Sequence, residues 1–228
     1  MAVMTLTRTT IGKKVIMAVT GLVWIGFLVF HMYGNLKVYQ GAAYFNHYAE
    51  SLRELGAPLF GHLHLLTILR LIVAVSVLLH IWAALSLTVA ARNARPQSYA
   101  MKRLVQANYA SITMRYGGVA IGLFLLYHLA HFTWGLIPIP PSGFVKGDAY
   151  GNLVGGFQSI FNVIFYLVAV AALGLHLYHG TWSMFQTLGF NNQKYDSTLR
   201  GLALALGILL PLGFAIVPLS VLFGFVTL

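Results

Sequence analysis

The chain contains no cysteine. That excludes disulfides, cysteine nucleophiles, iron–sulfur clusters held by the chain's own thiolates, and thiolate-ligated haem. Acid is nearly as scarce: Glu50, Glu54, Asp148 and Asp196 are the only carboxylate side chains in 228 residues. Charged residues make up only 8% of the chain, against 59% hydrophobic ones. A soluble domain of this length has too little interior to hide so much apolar surface, so the bilayer is read as its solvent. No low-complexity tract, internal repeat or cleavable leader is evident; the first apolar run is too long for a leader and lacks a small-residue cleavage site.

What is present is a set of long apolar runs. Five are long enough to span, over residues 11–36, 63–91, 114–137, 157–187 and 199–228, where about 20 residues suffice for a helix. The expected fold is an all-α membrane protein, one domain over 1–228 built as a five-helix transmembrane bundle. The net charge of +10 is read as basic cytoplasmic loops, with no nucleic-acid partner. Arg8, Lys13, Lys14, Arg92, Arg95, Lys102, Arg103, Arg115, Lys194 and Arg200 fall on one side. Lys37, Arg53 and Lys146 fall on the other. The positive-inside rule then places the N-terminus in the cytoplasm and the C-terminus outside.

Between the spans, "YFNHYAESLREL" carries Tyr44, Phe45, Tyr48, Leu52 and Leu55 at helical spacing and reads as a short amphipathic surface helix. "GLIPIPPSGFVKGDAYGN", rich in Pro and Gly, reads as irregular. Gly118 and Gly122 form a small-xxx-small pair expected to permit close helix contact. Pro211 and Pro218 are expected to bend the fifth span, which reads as a packing helix.

Four of these runs carry histidine into lipid. His31 and His128 lie late in rising spans, hence in the outer half. His80 and His176 lie late in descending spans, hence in the inner half. Two pairs at two depths, each drawn from two helices, suit bis-histidine haem b, whose iron takes one imidazole on each face. Coordination also offsets the cost of an imidazole in the membrane. Zinc or copper fits less well, because thiols and nearby carboxylates are absent. His131 and His179 each follow a candidate by three residues on nearly the same face. Each is either the true ligand or a hydrogen-bond donor to a haem propionate. His47, His62 and His64 read as solvated loop residues.

Arg70, in the outer part of the second span, is a candidate partner for a propionate of the outer haem; snorkelling to headgroups is the plainer alternative.

The stretches "FHMYGN" and "GAAYFNHYAESL", then "LLHIWAAL", "RYGGVAIGLFLLYH" and "HLYHGTWS", resemble the membrane-anchor cytochrome b subunit of succinate dehydrogenase and fumarate reductase. Within that family the chain is most similar to the bacterial class with one five-helix anchor and two haems, over nearly its whole length and in order. Arg115, Gly118 and His128 form one matching signature, and His176, Gly180, Trp182 and Ser183 another. The resemblance implies His31 and His128 as distal haem ligands, His80 and His176 as proximal ones, and His131 and His179 as residues of the surroundings. It implies a flavoprotein subunit and an iron–sulfur subunit as partners, menaquinone as electron acceptor, and the bacterial cytoplasmic membrane as location, with a higher oligomer of the complex open. The chain itself would be an electron-transfer and quinone-binding subunit without a succinate site. For the quinone that the resemblance implies, which needs positioned proton donors beside an apolar slot, an outer set of Glu50 with Tyr33, Asn35 and Tyr48 is preferred to an inner set of Arg115, Trp182 and Ser183. A dihaem cytochrome b of another respiratory dehydrogenase and a haem-free polytopic scaffold are the rival readings. Some relatives carry a glutamate two residues before the fourth-span ligand; this chain has Gly174 there, which argues against a proton path through a buried carboxylate of that helix.

Overall fold

The computed structural model describes residues 6–94, 109–140 and 143–228, with side chains from residue 114 onward in the second segment. Arg95, Lys102 and Arg103 lie outside the described residues. Seven α-helices and no strand occur among the described residues. They are α1 (Thr10–Leu36), α2 (Ala42–Ser51), α3 (His64–Asn93), α4 (Tyr109–Phe132), α5 (Ala149–Phe157), α6 (Ile160–Thr187) and α7 (Asp196–Leu222). The chain is an all-α, multi-pass membrane protein: the helices containing α1, α3, α6 and α7 are each long and apolar enough to cross a bilayer. Long uninterrupted helices are what lipid demands, since the backbone must satisfy its own hydrogen bonds there. Their outward faces are bare hydrocarbon, as at Phe161, which is 81% exposed.

Local chemistry sets the helix ends. The Thr9 hydroxyl accepts from the Gly12 N–H at 3.0 Å and caps α1. The helix tightens into a 3₁₀ turn over Lys37–Gln40 and stops at Gly41, whose φ of 86° favours glycine. The third expected span, 114–137, is corrected at its C-terminal end: α4 stops at Phe132, ahead of Gly135 at φ 63° and of Pro138. The fourth, expected over 157–187, is met by α6 from Ile160; the helix is interrupted at Gln158–Ser159, so Phe157 ends α5. The fifth begins earlier than expected, at Asp196, and ends at Leu222.

The larger difference is at α5. Residues 149–152, expected to be irregular, instead open the helix "AYGNLVGGF", which is buried along most of its length. Asp148 caps it, its carboxylate accepting from the Gly151 N–H at 2.9 Å. Asn46 of α2 donates to Asp148 at 2.9 Å and accepts from the Tyr150 N–H at 2.8 Å, tying the two loop helices together. Its glycines explain the fit. A Cβ at Gly155 would stand 2.7 Å from Ile139 Cγ2, and one at Gly156 2.7 Å from the Phe132 ring. The densest apolar core therefore sits at this loop end, where Phe45, Leu153, Val154 and Phe157 meet Tyr166 and Val217.

α6 is packed most extensively against α7, and also against α4 and α1; α1 packs on α3. Small residues make the α6–α7 approach close. A Cβ at Gly174 would meet the Gly207 carbonyl oxygen at 2.7 Å and Pro211 at 3.0 Å. The expected pair at Gly118 and Gly122 does not serve this purpose: nothing lies within 4 Å of a Cβ at Gly122, and Gly118 faces an imidazole. Neither α1 with α4 nor α3 with α6 is an extensive packing neighbour among the described residues, so each pair faces across the bundle.

Candidate functional site

The two facing helix pairs carry the histidines. His31 of α1 and His128 of α4 have ring centroids 5.8 Å apart at the loop end. His80 of α3 and His176 of α6 have centroids 6.2 Å apart toward the opposite, basic end. Both sequence-derived pairings are brought together. All four residues are partly buried.

The levels repeat with a fixed interval. Gly21 of α1 lies beside His80, where a Cβ would be 3.6 Å from its Cε1. Gly118 of α4 lies beside His176, where a Cβ would be 3.8 Å from its Cε1. Each of those helices carries its own histidine ten residues later, as does α6 between Tyr166 and His176. Ten residues of helix rise about 15 Å, which sets the axial separation of the two pairs. Arg70 falls ten residues before His80, hence at the loop-end level of α3; it is exposed and has no ion-pair partner among the described residues.

Hydrogen bonds assign one tautomer. His80 Nδ1 lies 3.1 Å from the Met17 carbonyl oxygen and 3.2 Å from Thr20 Oγ1. The Thr20 hydroxyl donates to Ile16 O at 2.7 Å, so it can only accept from His80. A carbonyl also only accepts, so the proton is on Nδ1 and the lone pair of His80 is on Nε2. That is how a ligating imidazole is usually held. Nδ1 of His176 is buried with no partner among the described residues. His31 stacks on Phe27 at 5.2 Å and meets Phe214 of α7 at 5.9 Å.

A metal with two imidazole nitrogens each about 2 Å away would hold the ring centroids about 6 Å apart. The observed 5.8 and 6.2 Å agree with that span, so the pair at each level is spaced as a two-histidine metal centre would be. Among the described residues no three His, Cys, Asp or Glu side chains converge on one point. A metal held only by protein would want such a group; a macrocycle that supplies the remaining ligands needs two.

The doubled histidines differ. His131 is fully buried, stacked on Phe132 at 4.0 Å, with Nδ1 3.1 Å from the Tyr166 hydroxyl and Nε2 without a partner. The same hydroxyl lies 3.3 Å from His128 Nδ1. His179 is half-buried and has no hydrogen bond among the described residues.

The two expected quinone sets are only partly gathered. Tyr33 and Tyr48 come together, but around a residue sequence reasoning passed over. Lys37 is 7% exposed, its Nζ 4.5, 5.1 and 4.9 Å from the ring centroids of Tyr33, Tyr44 and Tyr48. Asn35 turns to its own helix, donating to His31 O at 3.0 Å, and Glu50 pairs with Arg53 at the surface. At the basic end the Trp182 ring is covered by the Arg200 guanidinium at 3.9 Å. No hydrogen bond, ion pair or ring contact joins Trp182 to Arg115 or Ser183 among the described residues. A groove of 480 Å³ between Lys13 of α1 and Trp82, Ser86 and Asn93 of α3 contains none of the histidines.

No protein-family model, curated protein or solved structure matches the chain. Fold and site define a class: a multi-pass helical membrane protein with two histidine pairs facing each other across its bundle.

Proposed function

We propose that the chain is the dihaem b anchor of a succinate:quinone oxidoreductase in a bacterial cytoplasmic membrane, with α4 as its fifth span. It would pass electrons from an iron–sulfur subunit, itself served by a flavoprotein, to menaquinone. The observation that carries the haem part is the pairing of His31 with His128 and of His80 with His176 at two levels. The part played by succinate rests on the sequence resemblance alone. Bound haem b supplies reversible one-electron transfer.

The chain's own residues do the rest. His80 and His176 hold the inner group, His31 and His128 the outer. Met17 O and Thr20 fix the His80 tautomer. Phe27 and Phe214 shield the His31 ring from lipid and water. Arg70, at the outer level of α3, is the cation available to a propionate. At the outer surface Tyr33 and Tyr48 are the hydroxyls available to a quinone, with Lys37 between them. Gly174 packs against Gly207 and Pro211, which leaves no room for a carboxylate on that face of α6. A proton path through a carboxylate at that position is therefore not part of this reading.

Purification of the chain with whatever subunits accompany it decides the matter. A pyridine haemochrome assay should give two haems b per chain, with covalent flavin and succinate–quinone activity in the same fraction. Two haems without flavin would move the reading to the cytochrome of another respiratory dehydrogenase. An absence of haem would leave a polytopic scaffold.

A further inference from the structure

Tyr166 is 6% exposed and wedged edge-on between Phe124 and Phe157, each 4.9 Å away by ring centroid and nearly perpendicular. Its hydroxyl is thereby held at one point, within reach of two imidazoles: 3.3 Å from His128 Nδ1 and 3.1 Å from His131 Nδ1. It has no other hydrogen-bond partner among the described residues. A phenol offers one proton and two lone pairs. To spend that proton it must donate to one imidazole and accept from the other. The two histidines then hold opposite tautomers, and only one of them presents a lone pair at Nε2.

We infer that Tyr166 is the positioning residue of the outer centre, selecting His128 over His131 as the ligand by fixing their tautomers in opposite senses. The inference rests on the haem reading above. His128 Nδ1–H donates to Tyr166, which leaves the His128 Nε2 lone pair for iron. Tyr166 O–H donates to His131 Nδ1, so His131 carries its proton on Nε2. That N–H is buried and lacks an acceptor among the described residues, so it is free to serve a carboxylate at the haem edge. The arrangement also polarises the axial ligand. A hydrogen bond accepted from Nδ1–H makes the imidazole a better donor to ferric iron and lowers the potential. Tyr166 reaches only the outer pair, since His176 lies ten residues further along the same helix.

The test uses the purified complex and reads redox titration and the low-spin ferric EPR signal of each haem. Tyr166→Phe should keep both haems. It should raise the outer potential by about 59 mV, a tenfold change in a one-electron equilibrium, and leave the inner one in place. His131→Ala should keep both haems and move the outer potential the same way by less. The double variant should match Tyr166→Phe, because both substitutions break one chain of hydrogen bonds. An outer potential and EPR signal unmoved in Tyr166→Phe would overturn the inference while leaving the haem reading intact. So would loss of the outer haem in His131→Ala with its retention in His128→Ala. Should Tyr166→Phe not accumulate, an outer potential unmoved by His131→Ala would overturn it alone. No haem in the unaltered complex would instead overturn the parent reading.

Discussion

An imidazole inside a membrane is costly unless something takes its lone pair and something else its proton. His80 has the second need met by Met17 O and Thr20, and His176 has its Nδ1 buried and unmet. The basic-end centre should therefore depend on both. His176→Ala should remove the inner haem and leave the outer. His179→Ala should keep both and shift the inner potential, because His179 lies one turn away with no bond to the His176 ring. Haem content and redox titration of the two variants check this; the reverse pattern would move the ligand by one turn. At this scale the sequence was readable where the chemistry is rare. A histidine in an apolar run stands out, and depth alone paired four of them. Tyr166 and Lys37 did not stand out. A tyrosine among phenylalanines reads as packing, and a lysine at a helix end reads as a topology signal. What they do depends on α6 crossing α4 and on α2 folding back over α1, which no local pattern encodes.

Among the helices, glycine has three distinct uses, which sequence spacing confuses. Gly118 and Gly122 have the spacing of a helix-packing pair, yet Gly118 makes room for the His176 ring and Gly122 faces open space. Gly174 and Gly207, on different helices, are the pair that brings backbones together. Gly155 and Gly156 let α5 lie on Ile139 and Phe132. A Cβ at Gly118 would sit at ordinary contact distance, so Gly118→Ala should retain the inner haem. Gly118→Leu should drive the His176 ring off its line and lose that haem, leaving the outer one. The visible spectrum of each variant reads the outcome, and equal loss from both would refute the assignment. The long helices were legible because lipid imposes continuous apolar runs. α5 was not, because its burial comes from partners at remote positions, Asn46 and Tyr166 among them, while its own composition is that of a loop.

For the molecule as a whole, the absence of cysteine becomes an experimental advantage. Any single cysteine introduced is the only thiol of this chain, so labelling of the isolated chain after treatment with an impermeant reagent is unambiguous. Lys146→Cys, in the loop before α5, should react from outside intact cells. Lys194→Cys, between α6 and α7, should react only after the membrane is opened. Both sites are exposed, so failure to label would reflect the barrier rather than burial. The opposite pattern would invert the bundle and place His80 and His176 in the outer half.

The buried ammonium of Lys37 also has a mechanical consequence. Set among the faces of the Tyr33, Tyr44 and Tyr48 rings, each of which attracts a cation, it resists withdrawal in either direction. Sliding α1 by one residue would carry it about 1.5 Å along the axis and out of register with rings held by α2. The cage is a latch on the vertical position of the first helix. His31, six residues below it, takes its height from that latch, so its alignment with His128 is set from outside the site.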